Sequence, residues 1–124
     1  MSVLAPSAPR LRPDLDSLQG VWESVAGPRP ARLLVAGRHY TFEFVGGALY
    51  MGTFDIAAGH MDMHIAEGPP EHAGRFVRCL YALDGGVLRF CAGRPGSDRR
   101  PADFADVDDR KQLSLVFRRV NRRR

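Results

Sequence analysis

The chain is poor in several things that usually announce a function. Its 124 residues hold one lysine (Lys111), one tryptophan (Trp22) and two cysteines, and no apolar stretch approaches the length that crosses a bilayer. It has no glycine-rich phosphate loop, no zinc-ribbon spacing and no nucleophilic triad motif, so no reaction is written in its motifs. Residues 1–15 carry Pro6, Pro9 and Pro13 beside Arg10 and Arg12, without the continuous apolar core of a signal peptide. The expectation is a cytoplasmic protein with a disordered arm over 1–15, one domain over 16–120 and a basic tail over 121–124.

The charge points to no partner either. The net charge is +4, but Arg118, Arg119, Arg122, Arg123 and Arg124 crowd the C-terminus, and without them the body is close to neutral. A solvated terminus accounts for this, and no nucleic acid is expected. What is abundant is turn chemistry. Thirteen glycines and nine prolines are too many for a helical bundle and suit short strands joined by turns. A chain of this length buries roughly two-thirds of its unfolded surface in one core, without staples.

Asp14 or Asp16 can cap a helical turn that ends at Leu18. Strands are predicted over 20–25, 32–35, 39–45, 48–56, 60–66, 75–83, 87–92 and 113–120, separated by Pro28, Pro30, Gly37, Gly46-Gly47 and Gly85-Gly86. Parity assigns their faces. Tyr40, Phe42 and Phe44 alternate with His39, Thr41 and Glu43, and Met61, Met63 and Ile65 with His60, Asp62 and His64; the apolar set should face inward. A two-residue Gly85-Gly86 turn pairs Leu83 with Leu88 and Tyr81 with Phe90 on one face. In that register Cys79 points inward and Cys91, opposite Leu80, outward, so two thiols and no disulfide are expected; a three-residue loop would instead pair Cys79 with Cys91. Trp22, two residues after Gly20, can plug a barrel end. Arg119 shares the inward parity of Leu113, Leu115 and Phe117 on the last strand and can lie on Trp22. The fold class is therefore all-β, an eight-stranded antiparallel up-and-down barrel with a short N-terminal helical turn.

Several segments also resemble a known family: Leu18-Gln19-Gly20-Val21-Trp22-Glu23, Gly52-Thr53-Phe54-Asp55, Met61-Asp62, Glu67-Gly68-Pro69 and, most densely, Leu80 through Phe104 with its Arg94-Pro95-Gly96 and Arg100-Pro101-Ala102-Asp103-Phe104. They are similar to an uncharacterised bacterial lipocalin-like domain family of planctomycete-type genomes, over nearly all of 18–120. The resemblance implies a lipocalin-like eight-stranded barrel and no established reaction. Its members often carry a secretion signal, which residues 1–15 do not resemble. Cys79, the doubled Arg99-Arg100, His60 and His64 depart from the family pattern.

Three constellations could carry chemistry. His60, Asp62 and His64 share one strand face, and two imidazoles with a carboxylate can hold a metal; residues i and i+4 of a strand lie roughly 13 Å apart, however, so an exposed polar face is the better reading and no metal is assigned. Tyr40, Tyr50, Tyr81, Asp55, Glu43 and Cys91 supply acids, bases or a nucleophile, the inward tyrosines reading first as core and Cys91 as a small buried residue. The loop over 93–110 is long enough for a lid, or is a self-paired Ω-loop held by Pro101 and Phe104. The function expected is binding of a small apolar or aromatic molecule in a cavity lined by Tyr40, Phe42, Phe44, Met61, Met63, Tyr81 and Phe90, with Trp22 and Arg119 closing the barrel and no cofactor. Two alternatives stand beside it. One is a cyclase or isomerase using Tyr40, Tyr81 or a histidine on a hydrophobic metabolite; the other is a ligand-free interaction module.

Overall fold

A computed structural model describes residues 14–104 and 113–120; most of the expected arm, the basic tail and the acidic residues Asp106, Asp108 and Asp109 lie outside the described residues. A helical turn over 14–18 leads into eight strands: β1 Gly20–Ala26, β2 Ala31–Ala36, β3 His39–Phe44, β4 Leu49–Ala57, β5 His60–Glu67, β6 Phe76–Asp84, β7 Val87–Ala92 and β8 Leu113–Arg119. Asp14 and Leu15, placed in the arm on sequence grounds, belong to the helical turn. Each strand pairs antiparallel with the next and β8 pairs with β1, so the sheet closes and no edge is left unpaired. Among the described residues no helix is long and apolar enough to cross a membrane.

Period-two alternation explains why these segments are strands and which face is the core. Tyr40, Phe42 and Phe44 of β3, Met61, Met63 and Ile65 of β5, and Leu115 and Phe117 of β8 are all buried, while Glu43 between such residues is exposed and Asp62 and His64 are half-buried. The β6–β7 hairpin has the two-residue turn, with Leu83 opposite Leu88, Tyr81 opposite Phe90 and Leu80 opposite Cys91. Cys79 and Cys91 therefore diverge and remain thiols.

The two ends of the barrel differ. At one end the connections are two residues long: 37–38, 58–59 and 85–86. Ala58 and Gly59 both take positive φ, +48° and +88°, the geometry whose twist matches that of the flanking strands. The same end is plugged by the 14–18 turn. Trp22 is fully buried and its Nε1 donates to the Leu18 carbonyl at 2.9 Å. Arg119, opposite Trp22 in the β1–β8 register, lays its guanidinium 4.3 Å from the indole centroid. It also donates to the Gln19 carbonyl at 2.7 Å and to that of Ser17. Gln19 clips the β2–β3 turn, accepting from Gly37 N at 2.6 Å and donating to Gly37 O at 2.9 Å. Tyr81 donates to the Asp14 carboxylate at 2.7 Å. At the opposite end the connections are longer, and it has no comparable plug among the described residues.

The described part of the return from β7, residues 93–104, is tied to the barrel wall, and the rest of the loop expected over 93–110 lies outside the described residues. Arg100 crosses the outside of the barrel to bond Asp62 at 2.7 Å and the Cys79 carbonyl at 2.8 Å, while Arg78 holds the other Asp62 oxygen at 3.3 Å. Phe104 lies under the Arg89 guanidinium at 4.4 Å. The chain from Arg100 to Phe104 thus runs along the outside of β6 and β7; Pro101 is buried, as are Cys91 of β7 and its β8 partner Ser114. Ser114 Oγ lies 3.5 Å from Cys91 Sγ.

Two expected outcomes follow from this closure. Trp22→Ala should cost about 3–5 kcal/mol in urea melts, as other large aromatic truncations in cores do; a loss below about 1 kcal/mol would show that the barrel closes without the indole. Intact mass after alkylation without reductant should show almost no adduct on the native protein and two after unfolding, because both thiols are fully buried and burial pushes the Cys79 thiol well above its ordinary pKa.

Candidate functional site

At the open end the lumen is not filled to the rim. A recess of about 210 Å³ is walled by Tyr40, Phe42, Phe44, Met63, Ile65, Val77 and Phe90, and Arg29, Tyr50 and His72 stand at its mouth. The floor is an aromatic cluster. Phe42 stacks on Phe44 with centroids 4.9 Å apart and planes 25° apart, and it meets Phe90 at 5.6 Å and the edge of Phe117 at 5.8 Å. Toward the plugged end, Trp22, Leu88 and Phe117 are fully buried.

Of the seven residues expected to line a cavity, Tyr40, Phe42, Phe44, Met63 and Phe90 do so. Met61 and Tyr81 do not. Both face inward and are buried, but they sit toward the end of the 58–59 and 85–86 turns, away from the recess, and the Tyr81 hydroxyl is engaged by Asp14. Parity names the face of a residue and is blind to its height in the barrel. Burial, followed by the Asp14 hydrogen bond and charge, raises the Tyr81 pKa above that of an ordinary phenol.

Tyr40 is tied in as well. Its hydroxyl donates to the His64 carbonyl at 3.1 Å, passing from β3 to β5 across Gly52 of β4, its own partner in the ladder. Gly52 marks a register shift between β4 and β5, and a Cβ placed there would sit 1.8 Å from the His64 carbonyl oxygen. Only glycine lets the two strands approach so closely. Burial, with Cys79 and Tyr50 nearby, pushes the Tyr40 phenol far up, so it is a neutral donor.

The mouth carries the polar groups that converge on the recess. Tyr50 is inward on β4, its ring edge against Phe44 at 6.0 Å, and its hydroxyl lies 2.8 Å from His72 Nδ1. His72 belongs to a tight turn after Pro69-Pro70, where His72 N and Ala73 N both bond the Pro69 carbonyl at 2.8 and 3.0 Å. Arg29 lies between Pro28 and Pro30 in the β1–β2 connection, its guanidinium 4.2 Å from the Phe44 centroid. Burial raises the Tyr50 pKa, partly offset by the Arg29 charge.

No family model, curated protein or solved structure matches the chain. The site therefore has to be read from its own geometry. The His60-Asp62-His64 face is divided among other tasks: Asp62 is held by Arg78 and Arg100, His64 packs on Phe76 with centroids 4.8 Å apart, and His60 is exposed at the closed end. Among the described residues no three His, Cys, Asp or Glu side chains come together as a metal site. Glu43 and Asp55 face outward, Asp55 bonding Arg38 at 3.1 Å.

Sequence reasoning missed Arg29 and His72 as site residues. Both lie in connections, outside any alternating pattern; the only local signals are the prolines beside them. Because Gly52 underlies the Tyr40 bridge, Gly52→Ala should destabilise by at least the roughly 1–3 kcal/mol of an overpacked core site. Gly86→Ala, with no atom within 4 Å of its Cβ, should change the urea midpoint little.

Proposed function

We propose that the protein binds one small apolar or aromatic molecule in the open-end recess. The carrying observation is the asymmetry of the lumen. One end is plugged by the helical turn, Trp22 and Arg119, and the other keeps an apolar recess of about 210 Å³ under a polar mouth. That is room for a single ring, since a cavity of about 150 Å³ accepts benzene. Met63 lends the wall adaptability, because an unbranched thioether can repack around different shapes. The lipocalin-like resemblance of residues 18–120 supports the same reading by analogy of fold.

A second reading draws on one observation, the contact between Tyr50 and His72 at the mouth. Such a pair can exchange a proton with a bound molecule, as a cyclase or isomerase acting on a hydrophobic metabolite would require. Tyr81, with its hydroxyl engaged at the closed end, takes no part in that chemistry.

An environment-sensitive apolar dye should bind with micromolar affinity. Met63→Arg, which puts a charge into the wall, should weaken binding at least about tenfold, the equivalent of roughly 1.4 kcal/mol. His64→Ala, on the outer face, should leave it within about twofold, since the backbone carbonyl that Tyr40 uses is retained. Dye binding indifferent to Met63→Arg in a folded protein would remove the recess from consideration.

A further inference from the structure

The mouth of the recess specifies more than an apolar guest. Tyr40 spends its hydroxyl on the His64 carbonyl, so a polar group on a bound molecule meets Arg29, Tyr50 and His72. Among the described residues Arg29 forms no ion pair, so its charge is open to a carboxylate at the mouth. Its guanidinium rests on the Phe44 face at 4.2 Å, and the prolines on both sides stiffen the backbone that carries it.

The Tyr50–His72 contact leaves a donor at the mouth in either neutral tautomer. If the phenol donates to Nδ1, His72 keeps an Nε2–H; if Nδ1 carries the proton and donates, the Tyr50 hydroxyl is left to donate elsewhere. Raised by burial, the Tyr50 pKa keeps that phenol neutral, so it brings no negative charge to the mouth. Glu71 is the carboxylate beside this pair. It is exposed, and its effect on Tyr50 is weaker than that of Arg29.

An exposed arginine seated on the Phe44 face, one further donor and an apolar recess the size of one ring are complementary to one chemical class. We propose that the ligand is a single-ring aromatic carboxylate, its ring among Phe42, Phe44 and Met63 and its carboxylate on the Arg29 guanidinium, with the Tyr50–His72 pair donating to an oxygen. This rests on the ligand-binding reading above and adds the anionic group to it. Arginine suits the role because its planar fork can meet both carboxylate oxygens.

Three probes of similar size separate the two ideas: phenylacetate, its neutral isostere phenylacetamide, and ethylbenzene. Each is titrated by calorimetry at neutral pH and low salt into the full chain and into Arg29→Gln, with urea midpoints showing that the variant is folded. Phenylacetate should bind the full chain at least about tenfold more tightly than the amide, the equivalent of roughly 1.4 kcal/mol. That preference should shrink as salt is raised. Arg29→Gln should abolish it while the variant still binds ethylbenzene. Equal binding of acid and amide, or a preference that survives Arg29→Gln, overturns the carboxylate assignment while ethylbenzene binding upholds the recess. If none of the three binds, the recess reading falls, and the carboxylate assignment with it.

Discussion

Closure of β8 onto β1 is the contact on which the rest of this structure depends, and Arg119 is its centre. One guanidinium lies on the Trp22 indole and bonds the backbone carbonyls of Ser17 and Gln19, so it joins the last strand, the first strand and the turn that plugs the barrel. A cation with several donors in one plane can make face and edge contacts together; an ammonium could not. Arg119 also supplies partners to the Ser17 and Gln19 carbonyls, which the end of a helical turn leaves without intrahelical ones. Trp22 gains a dry apolar environment and still satisfies its Nε1–H.

From that closure follows the polarity of the molecule. Two-residue turns and the plug occupy one end, which leaves the long connections, with their less regular side chains, at the other. Arg29 and His72 enter the structure through those connections, and Tyr50 sits high on β4 where it can meet them. The interior is thus graded: Trp22, Leu88 and Phe117 are fully buried toward the plugged end, and the recess lies against Phe42 and Phe90. The outer wall has its own organisation: Asp62, on the face that suggested a metal, instead anchors Arg78 and Arg100 and so holds the β7–β8 return against the barrel.

Much of the fold was legible because strands write themselves in a period of two. Tyr40, Phe42 and Phe44 against Thr41 and Glu43, and the Gly85-Gly86 hairpin, determined faces, register and the separation of Cys79 from Cys91, all through contacts local in the chain. The pairing of Trp22 with Arg119 was legible for a related reason: each has inward parity at the end of a terminal strand, and closure leaves those two strands as neighbours. Less of the site could be read. Met61 and Tyr81 have the same parity as Met63 and Phe90, yet only the latter two reach the recess.

The amino-acid sequence by itself determined the all-β class, the number of strands, the inward face of each and the residues that close the barrel, because each depends on alternation and turn chemistry within a few neighbours. Tertiary structure alone decided where the lumen stays open, that Arg29 and His72 stand beside Tyr50, and that Arg100 reaches Asp62. Height along a barrel axis depends on the stagger of all eight strands, and contacts between connections depend on how those loops fold in space. Neither is encoded in any local pattern of residues.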